Sequence, residues 1–244
     1  AFVNCVENAV IIQYDSTTPS YNVTMTRCYF VQNTGSALTV HDGYAEFYDV
    51  HFLYNYGIGL HVTPGLIDDT PEVTRIANAS FIDTDKEINP RKNDNDEPLP
   101  TAALLVNGGA LLELHNTTFR RNLGYSAGAM YMTQPSQGEL VISNVTFEDN
   151  NCTGRGAGAL GLTLLLRTAV YINDSSFTNN KAVNVPGGGA LLAQSVYKPL
   201  ELYNCLFEDN SAYAGGAIKA IMTANLTAVG CAFLNNNASQ QGGA

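Results

Sequence analysis

The 244-residue chain has no tryptophan, four methionines and five cysteines, and it sets 12 basic side chains against 22 acidic ones. The shortage of positive charge leaves a formal net charge of −10, which argues against a general affinity for nucleic acid or anionic lipid. Charge of either sign is scarce, at 14% of residues beside 45% hydrophobic, so the composition is not that of a disordered chain. Long apolar runs are missing as well. No segment approaches the ~20 residues of a membrane-spanning helix, and the richest stretch, Leu160–Leu166, is short and interrupted by Thr and Arg. No basic-plus-apolar leader opens the chain at Ala1, so a signal peptide has been cleaved or the stretch is internal to a longer protein. What is plentiful is asparagine, with 25 residues, beside Thr, Ser and 22 glycines.

The asparagines belong to a repeat. Phe followed three residues later by Asn occurs at Phe30/Asn33, Phe52/Asn55, Phe119/Asn122, Phe147/Asn150, Phe177/Asn180, Phe207/Asn210 and Phe233/Asn236. Phe81/Thr84 is a degenerate eighth copy, and Cys5/Asn8 reads as a ninth with Cys in place of Phe. Between copies lies a small-residue element followed by Ala-aliphatic: Gly128-Ala129-Met130, Gly158-Ala159-Leu160, Gly188-Gly189-Ala190-Leu191 and Gly215-Gly216-Ala217-Ile218. Apolar residues alternate with a period of two before the Phe (Leu140/Ile142, Val170/Ile172, Leu200/Leu202) and after the Ala (Leu38/Val40, Leu60/Val62, Leu160/Leu162). The inward parity shifts just before each Phe, which requires a corner three or four residues ahead of it. Nothing keeps a 3.6-residue stripe for three turns, so helical solenoids are a poor fit.

Short strands, recurring corners and this repeat length predict an all-β fold: a single right-handed parallel β-helix of about nine coils over residues 1–244, roughly 40 Å long. Each Phe should stack on its neighbours in the core. Each Asn should sit at the following corner and join an amide ladder parallel to the axis. The glycines should serve positive φ and tight bends. Spacing places Ala102-Ala103-Leu104 in the Ala-aliphatic register and makes Gly108-Gly109 a turn, with Leu112 and Leu114 pointing inward. Two insertions, 63–73 and 84–100, are rich in Pro and charge and read as adjacent surface loops.

The paired Phe-x-x-Asn and Gly-Gly-Ala-[Ile/Leu] motifs resemble the repeats of the chlamydial polymorphic outer-membrane proteins, and related β-helix repeats of large secreted proteins from eukaryotic microbes. The resemblance runs from Cys5 to Ala244. In the bacterial family it implies an adhesive passenger rod carried by a membrane barrel. No barrel-like segment is evident here, so that delivery mechanism is not carried over.

Eight Asn-x-Ser/Thr sequons occur, at Asn22, Asn78, Asn116, Asn144, Asn151, Asn173, Asn225 and Asn237. Composition alone supplies roughly three, so N-linked glycans and a eukaryotic secretory route are expected, with Asn-rich corners meeting Thr-rich strands as the plainer explanation. Cys205 and Cys231 hold the same repeat position in adjacent coils, where the strand spacing suggests a disulfide. Cys28 shares that position, with Cys5 nearby in the preceding coil as its possible partner. Cys152 has none. Alternatively all five are small buried core residues.

Chemistry-bearing groups are sparse. Parallel β-helices host polysaccharide-cleaving enzymes, which need converging carboxylates. Asp68-Asp69 is the adjacent acid pair outside 94–97, and both clusters lie in insertions. Asp94, Asp96 and Glu97 offer calcium-type oxygens without the glycine and distant glutamate of an EF-hand. His41, His51 and His61 recur at ten residues, not at the coil period, so they should not stack into a metal site. No nucleophile–base pair or phosphate loop is evident.

The sequence therefore predicts a non-catalytic extracellular or cell-surface structural or adhesive glycoprotein rod, with no cofactor beyond glycans and, as a weak candidate, a calcium ion at Asp94, Asp96 and Glu97. The competing reading is a carbohydrate-active enzyme or glycan-binding module using the loops around 63–100. Expected partners are the rod itself, head-to-tail as a filament or as further coils of one chain, and glycans or cell-surface molecules. Residues 236–244 begin a new coil, and Ala1-Phe2-Val3 enters in mid-coil, so continuation or stacking at the ends is expected.

Overall fold

A computed structural model describes residues 1–5, 9–13, 22–41, 44–63, 66–67, 70–71, 73–84, 101–108, 111–133, 138–154, 156–182 and 187–242. Among them there is no helix, and the strands wind into a parallel β-solenoid. The first face stacks segments such as Leu111–His115, Gly138–Ser143, Thr168–Asn173 and Leu200–Tyr203. The second carries the Phe strands, for example Thr118–Arg120, Thr146–Glu148 and Ser176–Thr178. The third is a five-stranded sheet running from Leu123–Gly124 to Asn237–Gln241. The fourth is an eight-stranded sheet from Val10–Gln13 to Ile218–Ile221.

The expected corner is real and built from a left-handed residue. Arg27, Asp49, Asn78, Asn116, Asn144, Asp174 and Asn204, each three before a Phe, all have φ between 47° and 57°. A second left-handed corner follows each Phe by two residues, as at Asp149, Asn179 and Asp209. Asn and Asp tolerate this conformation better than other side chains, because their short polar groups bond locally. That preference explains much of the asparagine excess.

Inside, the Phe column is continuous from Phe2 through Phe30, Phe52, Phe81, Phe119, Phe147, Phe177 and Phe207 to Phe233. Neighbouring ring centroids lie 4.6–5.1 Å apart with planes within 12°. That spacing is one strand separation, so in-register pairing forces the rings to stack. Beside it runs the asparagine ladder. Asn150 Nδ2 donates to Phe119 O at 3.0 Å and to Asn180 Oδ1 at 3.0 Å, while Asn150 N donates to the same Oδ1 at 3.1 Å. The pattern repeats through Asn122, Asn180 and Asn210, and joins Asn33 to Asn55. Burying an amide is costly unless its bonds are made, and here each donor and acceptor meets a neighbouring rung.

Four readings need correction. The ninth copy is Phe2/Cys5, not Cys5/Asn8: Phe2 stacks on Phe30, and Cys5 N donates to Asn33 Oδ1 from the asparagine position. Asn8 lies outside the described residues. The chain closes about six turns and not nine: nine rungs hold for the Phe column, while the third face has five strands among the described residues. The recurring glycines serve close approach more than positive φ. A Cβ on Gly128, Gly158 or Gly189 would collide with the carbonyl of Gly158, Gly189 or Gly216 on the next turn. Of these repeat glycines Gly215 has the left-handed φ, at 75°. Finally, the insertion 63–73 is not all loop, since Leu66–Ile67 and Thr70–Pro71 pair antiparallel. Residues 85–100 lie outside the described residues.

The register inferred around residue 104 is correct: Leu104 pairs with Leu60 on one side and Met130 on the other. Leu112 and Leu114 are fully buried. One continuous cluster of buried side chains runs from Val23 to Ala217.

Candidate interaction surface

Functional groups on this scaffold must come from outward positions, where each column runs along the rod. On the first face Glu46, Arg75 and Glu113 stack in register. Arg75 Nε donates to Glu113 at 2.7 Å and Nη1 to Glu46 at 3.2 Å and to Tyr44. Both carboxylates push the guanidinium pKa up, and the Glu46 hydrogen bond raises that of the Tyr44 phenol. Arg121 pairs with Asp83 at 2.9 Å and Arg120 with Glu148 at 3.2 Å. At the corners Asn179 bonds Asp149 and Asn204 bonds Asp174. These carboxylates are held by the next rung, which suits a structural charge ladder and not an acid/base pair.

The sequence reading found no nucleophile–base pair, yet one contact has that form. His51 Nδ1 lies 2.7 Å from Ser80 Oγ, and Nε2 lies 3.0 Å from Asp49 Oδ1. The 29-residue separation of His51 and Ser80 gave no signal, because coil lengths vary. Catalysis would also need donors aimed at an oxyanion. Ser80–Ile82 is paired on both sides within the ladder, and Asp49 is 48% exposed on an open surface, so the triplet is a surface cross-link. His41 and His61, expected to stay apart, do meet, with ring centroids 5.8 Å apart. His61 bonds Asn107 Nδ2 at 3.1 Å, and burial with the His41 charge lowers its pKa to about 4. Among the described residues no three His, Cys, Asp or Glu side chains form a metal cluster. Asp68, Asp69, Asp94, Asp96 and Glu97 lie outside the described residues.

All eight sequon asparagines are exposed or half-buried. Asn78, Asn116 and Asn144 are the left-handed corner residues themselves, and the Ser or Thr two positions on begins the outward column of the Phe strand. Repeat geometry alone therefore produces these three sequons. In the fourth corner case, Asn173-Asp174-Ser175, the Ser175 hydroxyl is buried and donates to Asn173 O at 2.7 Å.

The described residues include all five cysteines, and none is in a disulfide. Cys205 and Cys231 do share a register position, since Leu206 pairs with Ala232. Their thiols lie against each other and also turn to the carbonyls two residues back, Tyr203 O at 3.3 Å and Val229 O at 3.6 Å. Thr117 and Ser175 make the same bond, so cysteine stands in for a hydroxyl that ties the corner. Cys28 faces Val50, while Cys5 lies in the asparagine column. Burial pushes the Cys152 and Cys205 thiols up to about 11.

The architecture is a repeat solenoid with an unvarying interior and a variable exterior. Residues 204–221 match the model of the Chlamydia polymorphic membrane protein repeat. They span two left-handed corners, Asn204 and Asp209, with Phe207, the ladder Asn210, Gly215-Gly216-Ala217 and the strand Ile218–Ile221. In repeat and in fold the chain resembles those proteins, and both fit a structural or adhesin-like protein of the cell surface. The matched family is bacterial and lends no support to a eukaryotic secretory route. Neither a curated protein nor a solved structure matches the chain.

Proposed function

We propose that the chain is a non-catalytic rod that displays side chains outside the cell, acting as an adhesive or structural element. One observation carries this reading. Inward columns repeat Phe and Asn almost without change, whereas a single outward column reads Thr24, Glu46, Arg75, Glu113, Val141, Tyr171, Glu201 and Thr227. Such a scaffold separates folding from recognition, because outward residues can vary without disturbing the stack.

The test is retention of beads coated with the full chain on cultured cell layers under flow. Specific retention that falls when outward columns are replaced by Ser and Thr is the expected result. Retention equal to that of uncoated beads would overturn the adhesive part.

A further inference from the structure

Among the outward surfaces, the third face carries a groove of about 400 Å³. It is lined by Lys181, Ser211, Tyr213, Asn237 and Ser239, over the buried Ala182 and Ala212. Register explains the arrangement. Lys181, Ser211 and Asn237 form one outward column on three successive rungs, spanning two strand spacings, about 10 Å. The pairing then shifts: Ala212 faces Ala238, but Ala214 faces Gln241, which sets Ser239 and Gln240 opposite Tyr213. A bulge of this kind re-aims side chains.

Every polar group of the groove is unspent. Lys181, Ser211, Tyr213, Asn237 and Ser239 make no side-chain hydrogen bond or ion pair among the described residues, whereas Arg75, Arg120 and Arg121 each hold a carboxylate. Tyr213 is 42% exposed. The set therefore combines an aromatic ring, an ammonium, an amide and hydroxyls within about 10 Å, a span that the flexible lysine stem shortens to the reach of one sugar residue. An aromatic face packs on the C–H face of a pyranose, and hydroxyls and amides take its hydroxyl groups. An ammonium without a carboxylate selects an anionic substituent.

We propose that this groove binds an acidic sugar, with the ring on Tyr213, its carboxylate or sulfate on Lys181, and its hydroxyl groups on Ser211, Asn237 and Ser239. The net charge of −10 repels anions at long range, so recognition rests on the Lys181 contact. The inference rests on the adhesive reading and deepens it by giving it a ligand class.

The experiment follows amide shifts of the isotope-labelled full chain with glucuronate, N-acetylneuraminate and glucose 6-sulfate, against glucose. An acidic sugar should shift the amides of Ser211, Tyr213 and Asn237, and should bind about tenfold more tightly than glucose. The carboxylate and sulfate arms identify the anionic group. Lys181→Gln should bring the acidic sugar down to the glucose level, and Tyr213→Ala should weaken both without changing the melting temperature. Absence of groove shifts at about 20 mM for all three acidic sugars, or an unchanged preference in Lys181→Gln, would overturn the proposal. Beads that hold to cells without sugar binding would leave the rod reading standing and remove the groove. Sugar binding without retention would do the reverse.

Discussion

Replacing Asn150 tests the ladder at its most constrained point. The side chain is fully buried. It accepts from Asn122 N at 3.1 Å and Nδ2 at 2.9 Å, and donates to Phe119 O and Asn180 Oδ1. Asn150→Ala removes the acceptor of Asn122 N and of one Asn122 Nδ2 hydrogen, and the side-chain donor to the Phe119 carbonyl, in a dry interior. At 1–3 kcal/mol for each group left short, partly relieved by relaxation, the loss is about 2–4 kcal/mol. Asn150→Asp preserves the shape but turns an acceptor toward Phe119 O and Asn180 Oδ1. With burial and no donor on that side, the folded-state pKa of the new carboxyl rises above its unfolded value of about 3.9. The unfolded chain then gives up its proton first as pH rises. The variant's penalty is smallest below pH 4 and grows until pH passes the folded pKa. Urea titrations at pH 4 and pH 7, read by far-UV circular dichroism because the chain has no tryptophan, check both effects. A cost under 1 kcal/mol for Asn150→Ala, or an Asn150→Asp profile parallel to the native one, would refute the account of the ladder.

Phe147→Ala, in the middle of the column, should cost about 3–5 kcal/mol, while Phe233→Ala on the exposed last rung should cost ~1 kcal/mol in the same titration. At pH 8 a thiol reagent should label Cys28 and Cys231 well before Cys152 and Cys205, whose pKa values near 11 leave little thiolate; equal rates in the folded protein would contradict their burial. Because burial lowers the His61 pKa to about 4, the unfolded chain protonates first as pH falls below 6.5. Stability should therefore drop between pH 6.5 and 4, and His61→Gln should flatten that slope. Asn144→Gly should be nearly neutral and Asn144→Ala should cost ~1 kcal/mol in unglycosylated protein, since the corner needs a left-handed φ; equal effects would remove the conformational explanation of that sequon.

Much of the fold was legible because a solenoid writes its register into the chain. The Phe and Asn columns, the corner before each Phe and the alignment of Leu104 with Leu60 all follow from spacing. Asn8 misled because it stands three residues after Cys5, imitating the motif, while the true copy keeps Phe2 and loses the asparagine. Contacts between outward residues were harder to read. His51 meets Ser80, and His41 meets His61, only because particular coils are long or short, and variable insertions hide that register from any fixed period. The shared register of Cys205 and Cys231 was legible, while the corner bond to the carbonyl two residues back shows only in the folded chain. The groove at Tyr213 depends on a register shift that side-chain spacing does not announce.

The ladder's interior substitution, Thr84, bears on how such a rod responds to tension. Thr84 Oγ1 still donates to Phe52 O at 3.1 Å, and Thr84 N still donates to Asn122 Oδ1 at 2.9 Å. A hydroxyl in place of an amide supplies one hydrogen where asparagine supplies two, so the side-chain bond to Asn122 Oδ1 is missing and the link between this rung and the next is thinner than elsewhere. Because strand hydrogen bonds here run along the axis, pulling the ends apart opens rungs one at a time, as a zipper does. Each opened rung of about 30 residues releases roughly 100 Å of chain. Under load the rod would behave as a series of fuses, with the Thr84 rung the interior one set to the lowest force, lengthening in steps while the rungs on either side stay folded.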